Sequence, residues 1–518
     1  MTRPPFYAYK TKPFKYQIDT VLRARDLGDC AILNDMGTGK TMCIVHLIDD
    51  AQDVSERPLR ILIVTVKTMI RGWIDEFLNH SRHFSENNTR ILRHSNRDKR
   101  IAMARDEVGV FVTNYEQVRA LKYKQGTGRS KGTKRRKRVI DYNSHLAAMP
   151  WDFVICDEVT AINHTSSLQS AALHDFSDNE NMNRIGLTGT IITDDPLNVF
   201  SVFKFIDPKL FGTSQRSFRH KYADFEIVDQ YVKGRGGPRV IHKEVVSNYK
   251  NLDYLQKLIS SKSIRWRKSE CDLDLPEKLF KLVKVEWPKE HLATYHQLQK
   301  DLMTEVDGFI VSTKSASAVT SKIRQVCQGW LYLEEEPGKP REHRLIGGSK
   351  PPKLEAMMDI IHASADPLVV FFDFNADLGI IESELIAKDV SHVRITANEN
   401  EDQRGEAVAT FQRGHTKVCL CKTAIAKFGL TLTKATSAIY YSNDFGLEKR
   451  TQSMDRIHRY GSQSKSVTYY DLCMENSIDI AIREMCISKK NLADKISGED
   501  LKDMMMGNVP KSTFGKVG

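Results

Sequence analysis

No apolar run in this 518-residue sequence reaches the ~18 residues that a membrane-spanning helix requires, so no segment reads as a transmembrane span. The opening residues Met1-Thr2-Arg3-Pro4-Pro5 lack the apolar core of a secretion signal. Cysteine is sparse, with nine residues scattered along the chain. The closest pair, Cys419 and Cys421, lies inside an apolar stretch that reads as a strand. That is neither a disulfide framework nor zinc spacing, and a reducing interior is expected. No repeat of solenoid period is visible. What is present is an ordinary globular balance, 41% hydrophobic and 28% charged. A formal charge of +11 favours a polyanionic partner but does not separate nucleic acid from a solvated surface.

The most telling stretch is Asp35-Met36-Gly37-Thr38-Gly39-Lys40-Thr41. It follows the short apolar segment Cys30-Ala31-Ile32-Leu33 and precedes the helix-like Met42-Cys43-Ile44-Val45-His46-Leu47-Ile48. Strand, glycine turn, Lys-Thr and helix form the arrangement a nucleoside triphosphate needs. Glycines let backbone N–H groups close around phosphate oxygens, and the helix N-terminus adds its partial positive charge. Lys40 would reach the outer phosphates and the Thr41 hydroxyl would ligate Mg²⁺. The spacing departs from the usual one in its first position, where Asn34 stands in place of glycine. Two further strand ends carry polar groups. Asp157-Glu158 follows Phe153-Val154-Ile155-Cys156, and such a pair can hold Mg²⁺ through Asp157 while Glu158 orients or deprotonates a water. Gly186-Leu187-Thr188-Gly189-Thr190 is small and hydroxyl-bearing, but alone it is only a turn.

Strands alternate with amphipathic stretches on both sides of a charged, helix-rich middle. Arg60-Ile61-Leu62-Ile63-Val64-Thr65 and Val108-Gly109-Val110-Phe111-Val112-Thr113 read as strands buried on both faces. The pattern returns with Pro367-Leu368-Val369-Val370-Phe371-Phe372, Lys417-Val418-Cys419-Leu420-Cys421, Ala438-Ile439-Tyr440-Tyr441 and Val467-Thr468-Tyr469-Tyr470. The expected fold is α/β, with two lobes that are each a parallel sheet flanked by helices. Late in the chain, Gln452-Ser453-Met454-Asp455-Arg456-Ile457-His458-Arg459-Tyr460-Gly461 places two arginines three residues apart, on one face if the segment is helical. Guanidinium groups of this kind can neutralise charge on a transferring γ-phosphate.

Taken in order and approximate spacing, these segments resemble the Swi/Snf-type ATPases of helicase superfamily two, across nearly the whole chain. Lys12-Pro13-Phe14-Lys15-Tyr16-Gln17 is similar to the family's adenine-reading segment, with Gln17 as the base contact. Asp35 to Thr41 is similar to its Asp-Glu-Met-Gly-Leu-Gly-Lys-Thr, which implies ATP contacts from Met36, Gly37, Thr38, Gly39, Lys40 and Thr41. The segment from Ile63 to Thr68, with Trp73 and Glu76-Phe77, resembles the part that grips a DNA strand, as does Val112-Thr113-Asn114-Tyr115-Glu116. This implies DNA contacts from Lys67, Thr68, Asn114 and Tyr115, and from Thr423 in the second lobe. Arg265-Trp266-Arg267-Lys268 followed by Leu275-Pro276 looks like the inter-lobe connector. Asp455-Arg456-Ile457-His458-Arg459-Tyr460-Gly461 is close to the family's Asp-Arg-Ala-His-Arg-Ile-Gly. The resemblance implies two RecA-like lobes, ATP and Mg²⁺ as cofactors, and catalytic roles for Lys40, Asp157, Glu158, Arg456 and Arg459. Metal ligation falls to Thr41 and Asp157.

The chain also departs from the family. Thr160 stands where a His usually helps couple hydrolysis to movement. After Thr190 come Ile191 and Asp194 where Pro and Asn are usual, and Thr431 replaces an Asn in the second lobe. Residues 122–138 hold nine basic residues and three glycines with no acid, which predicts a mobile basic loop. That loop is either a DNA-engaging arm, with Lys134, Arg135, Arg136, Lys137 and Arg138 in contact, or a solvated insertion. Lys233-Gly234-Arg235-Gly236-Gly237-Pro238-Arg239 is a weaker case of the same kind.

The expected organisation is a first lobe over 1–262 with a helical protrusion at about 200–250, a connector and helical insertion over 263–345, a second lobe over 346–485, and a tail over 486–518. The expected activity is ATP-driven translocation on double-stranded DNA, acting on forked or branched substrates in replication, recombination or repair. An RNA-stimulated helicase and a non-catalytic nucleotide switch are the alternatives. A compact motor, monomeric and without membrane association, is expected in a bacterial or phage-infected cytoplasm or nucleoid rather than in a nucleus.

Overall fold

The computed structural model describes residues 9–118, 121–125, 136–140, 146–178, 182–192, 195–234, 237–271, 273, 275–301, 303–306, 309–312, 316–333, 342–426, 430–459, 461–462 and 464–497, some in backbone only. The chain divides into two compact units, Met1–Asp272 with Ala493–Lys502 and Leu273–Leu492 with Asp503–Gly518.

The strands of the first unit, in chain order, are β1 (Cys30–Ile32), β2 (Arg60–Thr65), β3 (Thr89–Ile91), β4 (Gly109–Asn114), β5 (Leu121–Gln125), β6 (Arg136–Ile140), β7 (Phe153–Asp157), β8 (Asn183–Leu187), β9 (Ala223–Gly234), β10 (Gly237–Tyr249) and β11 (Ser263–Ile264). Seven of them make a parallel sheet in the order β11-β1-β8-β7-β2-β4-β3. Burial explains the composition of these strands. Ile61, Leu62, Ile63 and Val64 are all fully buried, as a strand covered on both faces by helices requires. The helix Ile70–His80 closes one face by burying Ile70, Trp73 and Phe77, a stripe at helical spacing. Those side chains join Ile44, Leu47, Ile63, Val112 and Ile155 in one core.

In the second unit the strands are β12 (Glu277–Val285), β13 (Met303–Val306), β14 (Phe309–Ser312), β15 (Trp330–Tyr332), β16 (His343–Leu345), β17 (Leu368–Phe372), β18 (His392–Ile395), β19 (Val418–Lys422), β20 (Ser437–Tyr440) and β21 (Ser466–Met474). Six form a parallel sheet in the order β12-β21-β20-β17-β19-β18. The period-two geometry of a strand is visible in β17. Val369 and Phe371 enter one core, while Leu368, Val370 and Phe372 enter the core on the other face. The architecture is therefore the α/β one expected, two parallel sheets each flanked by helices. No helix among the described residues is long and apolar enough to cross a membrane.

Several boundaries differ from the sequence reading. Residues 263–272 belong with the first unit, because β11 pairs with β1 through Ala31↔Ser263 and Ile32↔Ile264. Residues 273–345 belong with the second unit, where β12 pairs with β21 along its whole length. The stretch at 200–250 is helical only over Val199–Ile206 and Gln215–Tyr222. Beyond that it is the β9–β10 hairpin, whose valines and isoleucines suit a strand better than a helix. The basic insertion is likewise not all loop, since its ends pair as the antiparallel β5–β6 ribbon, with Lys122↔Val139 and Gln125↔Arg136. Residues 126–135, including Lys134 and Arg135, lie outside the described residues, and Arg136, Lys137 and Arg138 are described in backbone only. The helix Ile478–Ser497 continues past residue 485, where the second lobe was expected to end.

Candidate nucleotide site

At the carboxyl ends of β1, β7 and β8 three short segments meet, the place where open parallel sheets bind ligands. The first leaves β1 and turns into the helix Lys40–Val54. Two glycines make the turn possible: Gly37 at φ 80° and Gly39 at φ 75°, ψ 39°, a left-handed conformation that costs a side-chain-bearing residue roughly 1–2 kcal/mol. Gly39 is the residue before the first helical turn, so the free N–H groups of that helix open on the loop.

The loop is braced from the helix Lys15–Leu27. Tyr16 Oη and Gln17 Nε2 both donate to Thr38 O, at 2.9 and 3.1 Å. A Cβ on Gly39 would lie 2.5 Å from Gln17 Nε2, so a side chain here would displace the Gln17 amide as well as strain the backbone. Gln17 is 3% exposed and engaged with the phosphate loop, so the structure gives it a bracing contact in addition to the base contact expected of it. Burial pushes the Tyr16 phenol well above its usual range, keeping it a donor. Lys40 Nζ donates to the carbonyls of Asn34 and Asp35, at 2.7 and 3.1 Å, which holds the ammonium over the turn.

Asn34, the residue that breaks the glycine spacing, has a structural use. Its amide donates to Thr20 Oγ1 at 3.1 Å and its Oδ1 accepts from Trp266 N at 3.0 Å. Asp35 Oδ2 accepts from Lys268 N at 3.0 Å. The phosphate loop is thereby tied to the segment just after β11. A glycine at position 34 would supply neither of the two Asn34 side-chain bonds.

The second segment is the acidic pair. Asp157 ends β7, and its Oδ2 accepts from Thr65 Oγ1 at 2.9 Å and from Trp73 Nε1 at 2.8 Å. Glu158 follows at φ 51°, ψ 56°, a left-handed conformation unusual for a residue with a side chain. Tyr115 Oη donates to Asp157 O at 2.7 Å and reaches Glu158 O at 3.3 Å, pinning the backbone at this turn. Burial and the two neighbouring carboxylates push the Tyr115 phenol far up. The third segment follows β8. Thr188 Oγ1 lies 3.5 Å from Glu158 Oε2, and a Cβ on Gly189 would fall 2.6 Å from Met36 Cγ and 3.7 Å from Lys40 Nζ. Gly-Leu-Thr-Gly-Thr, only a turn in sequence, thus touches both the acid and the phosphate loop. Its signal was the small residue at Gly189, which alone could not be distinguished from an ordinary bend.

Hard oxygen donors suit a Mg²⁺ ion, and the residues fit one. Asp157 Oδ1 and Thr41 Oγ1 make no described hydrogen bond, and each belongs to one of the segments that converge here.

The residues expected on DNA divide into two sets. Lys67 is exposed and Thr68 half-buried in the turn Lys67–Met69 after β2, while Asn114 closes β4 at 5% exposure with its amide on Glu116. Tyr115 is 4% exposed and its hydroxyl lies on the acidic turn. Thr423 is 8% exposed and donates to Phe372 O at 3.1 Å.

In the second unit, the helix Leu447–Met454 stops before the arginines. Arg456 and Arg459 therefore lie in the following turns rather than on one helical face. Asp455 pairs with Lys278 at 3.6 Å and His458 Nε2 donates to Pro276 O at 2.8 Å, which anchors this turn beside β12. Arg459 Nε donates to Asp455 O at 2.9 Å and Nη1 to Thr431 Oγ1 at 3.3 Å. Burial, then the Arg456 charge, bring the Arg459 guanidinium down to about 10. Tyr460 and Asp194 lie outside the described residues.

Comparison with known families gives matches over most of the chain. The SNF2-related domain matches residues 20–330 and the helicase conserved C-terminal domain residues 352–461. The ISWI chromatin-remodeling complex ATPase ISW2 of Saccharomyces cerevisiae is 22% identical over 493 residues, 92% of this chain and 40% of that protein. The putative ATP-dependent helicase/translocase YwqA of Bacillus subtilis is 23% identical over 501 residues, 95% of this chain and 49% of that protein. The chain thus spans less than half the length of these two relatives. Among solved structures, the Sulfolobus solfataricus SWI2/SNF2 ATPase core in complex with dsDNA is similar at a TM-score of 0.40, with 19% identity and 96% of each chain covered.

Proposed function

This chain belongs to the SNF2-related family, and from that premise we propose that it is a DNA-dependent ATPase that translocates along double-stranded DNA. The observation that carries the reading is the convergence of the left-handed glycine loop, Lys40 and Asp157-Glu158 at the ends of β1, β7 and β8. Amide N–H groups of the loop and the helix Lys40–Val54 receive the phosphates of ATP. Lys40 exchanges its two carbonyl partners for phosphate oxygen. Thr41 and Asp157 would hold Mg²⁺, which would supply positive charge to neutralise the outer phosphates. Glu158 takes up the attacking water through its carboxylate, with Thr188 Oγ1 beside it. Arg456 and Arg459 are assigned to the charge that develops on the γ-phosphate, a contribution on the order of 10³–10⁵ in rate for such arginines.

Lys67, Thr68 and the end of β4 at Asn114 are assigned to the DNA backbone, and the β5–β6 ribbon to a second, electrostatic contact. Phosphate contacts give affinity with little sequence preference, and the charge of +11 suits that partner. Remodelling of forked or branched DNA is the role proposed for this motor, in replication, recombination or repair. The test is ATP turnover measured with duplex DNA, single-stranded DNA, forks, three-way and four-way junctions, and RNA. Stimulation by duplex and branched DNA is expected. Stimulation by RNA alone would make it an RNA-dependent enzyme, and no turnover with any polymer would make it a nucleotide switch.

A further inference from the structure

The resemblance places Trp73 and Tyr115 in strand-gripping segments, yet both turn inward. Trp73 is 1% exposed and Tyr115 4%, and their polar atoms end on the acidic pair. Thr65, the last residue of β2, does the same. Each of these residues sits beside a position assigned above to DNA. Thr65 comes two residues before Lys67. Trp73 lies in the first turns of the helix that follows the Lys67–Met69 turn, and Tyr115 directly follows Asn114. The segments that would feel a DNA backbone are therefore the segments that hold Asp157 and Glu158.

We propose that Thr65, Trp73 and Tyr115 are positioning residues that link the DNA-facing ends of β2 and β4 to the catalytic carboxylates. The inference rests on the DNA-dependent reading above and adds the route by which the polymer raises turnover. Two donors on one oxygen fix the Asp157 carboxylate plane and leave Oδ1 for the metal. The Tyr115 hydroxyl holds a left-handed Glu158 that, as a non-glycine residue, persists only where its surroundings over-determine it. A shift of either DNA-facing segment moves these donors and re-aims the carboxylates. All three side chains are buried, so a shift of their backbone is passed on to their donors rather than taken up in solvent.

Three variants test the link: Thr65→Val and Tyr115→Phe, each close to its parent in shape and lacking one donor, with Thr65→Ser restoring the hydroxyl, and Trp73→Phe, which lacks its donor and also leaves a cavity in the core that thermal unfolding registers. For each, turnover is measured without DNA and at saturating duplex, together with the KM for ATP, the DNA affinity by fluorescence anisotropy, and thermal unfolding. The expected result is a fall in the stimulation factor, the ratio of the two rates, of about tenfold or more for Thr65→Val and Trp73→Phe, which lose a bond to the Asp157 carboxylate, and of about threefold or more for Tyr115→Phe, which loses bonds to neutral carbonyls. KM for ATP and DNA affinity should change by no more than about twofold. Thr65→Ser should behave as the parent does. Equal losses in both rates would reduce the three residues to fold-supporting ones and overturn the proposal, as would an unchanged stimulation factor. If the parent itself is not stimulated by any DNA, the proposed function fails and takes this inference with it. A stimulated parent whose variants keep the full factor refutes this inference alone.

Discussion

Replacing Gly39 by alanine probes the phosphate loop at its tightest point. Two costs can be worked out. An alanine at φ 75°, ψ 39° adopts the left-handed conformation at about 1–2 kcal/mol. Its Cβ would also stand 2.5 Å from Gln17 Nε2. That amide must withdraw from Thr38 O, losing a hydrogen bond of roughly 0.5–1.5 kcal/mol. The sum is about 2–3 kcal/mol near its middle. If the free loop keeps its shape, the whole cost appears as lost stability, a drop of several degrees in the melting temperature of a unit this size. If instead the loop relaxes, stability is spared and the cost returns when ATP forces the left-handed turn, as roughly 30- to 150-fold weaker binding. Thermal unfolding and titration with a fluorescent ATP analogue measure the two shares, which should add to the same total. Gln17→Ala in the same background removes the steric part and leaves the conformational part. A Gly39→Ala protein with parental melting temperature and parental ATP affinity would refute the reasoning, because no left-handed turn would then exist to be strained.

Three further outcomes follow from the same geometry. Lys40→Ala and Glu158→Gln should each abolish measurable ATP turnover while leaving duplex DNA binding within about twofold in an anisotropy assay, since neither side chain is assigned to the polymer. Asp377 is buried under Trp330 Nε1 and Ser442 Oγ at 2.9 and 2.8 Å, and burial raises its carboxyl to about 6. A carboxyl raised above its unfolded value binds more protons when folded, so its contribution to stability falls as pH rises from about 4 to about 6, by a few kcal/mol, and is flat above that. Melting curves of Asp377→Asn across that window should lack this decline relative to the parent. Replacing residues 122–138 by a short Gly-Ser turn should make the dependence of DNA affinity on salt shallower, because several of the nine basic residues would no longer displace counterions; an unchanged slope would reject the contact.

Local chemistry made much of the fold and part of the site legible in the sequence. The strand Arg60–Thr65 holds an unbroken apolar run, Ile-Leu-Ile-Val, rich in β-branched residues, which has no better fate than burial on both faces of a parallel sheet, and the structure places it there with the same bounds. Gly37, Gly39, Lys40 and Thr41 are contiguous, so their spacing announces a phosphate loop before any folding is considered. The β9–β10 hairpin was less legible. Charge along residues 223–249 masks the alternation of valine and isoleucine, and a solitary two-stranded ribbon leaves no wide apolar face to reveal its period. The helical face assigned to Arg456 and Arg459 failed for a different reason. Nothing in Gln452 to Gly461 marks where a helix stops, and the turn there is held by Lys278 and Pro276, remote in sequence.

What the sequence determined by itself is the set of reactive groups: a glycine loop with Lys-Thr, an acidic pair at a strand end and a late pair of arginines. Those are properties of short segments, and spacing alone reports them. Only the tertiary structure decided which way the neighbours of those groups face. Trp73 and Tyr115 read equally well as surface aromatics or as buried ones, because burial depends on what packs above them. Asn34 reads as a flaw in the glycine spacing until Thr20 and Trp266 are brought to its amide. Glycine 189 has no meaning until Met36 and Lys40 stand within reach of its missing Cβ. Contacts between distant segments are set by the register of a parallel sheet, and no local pattern encodes that register.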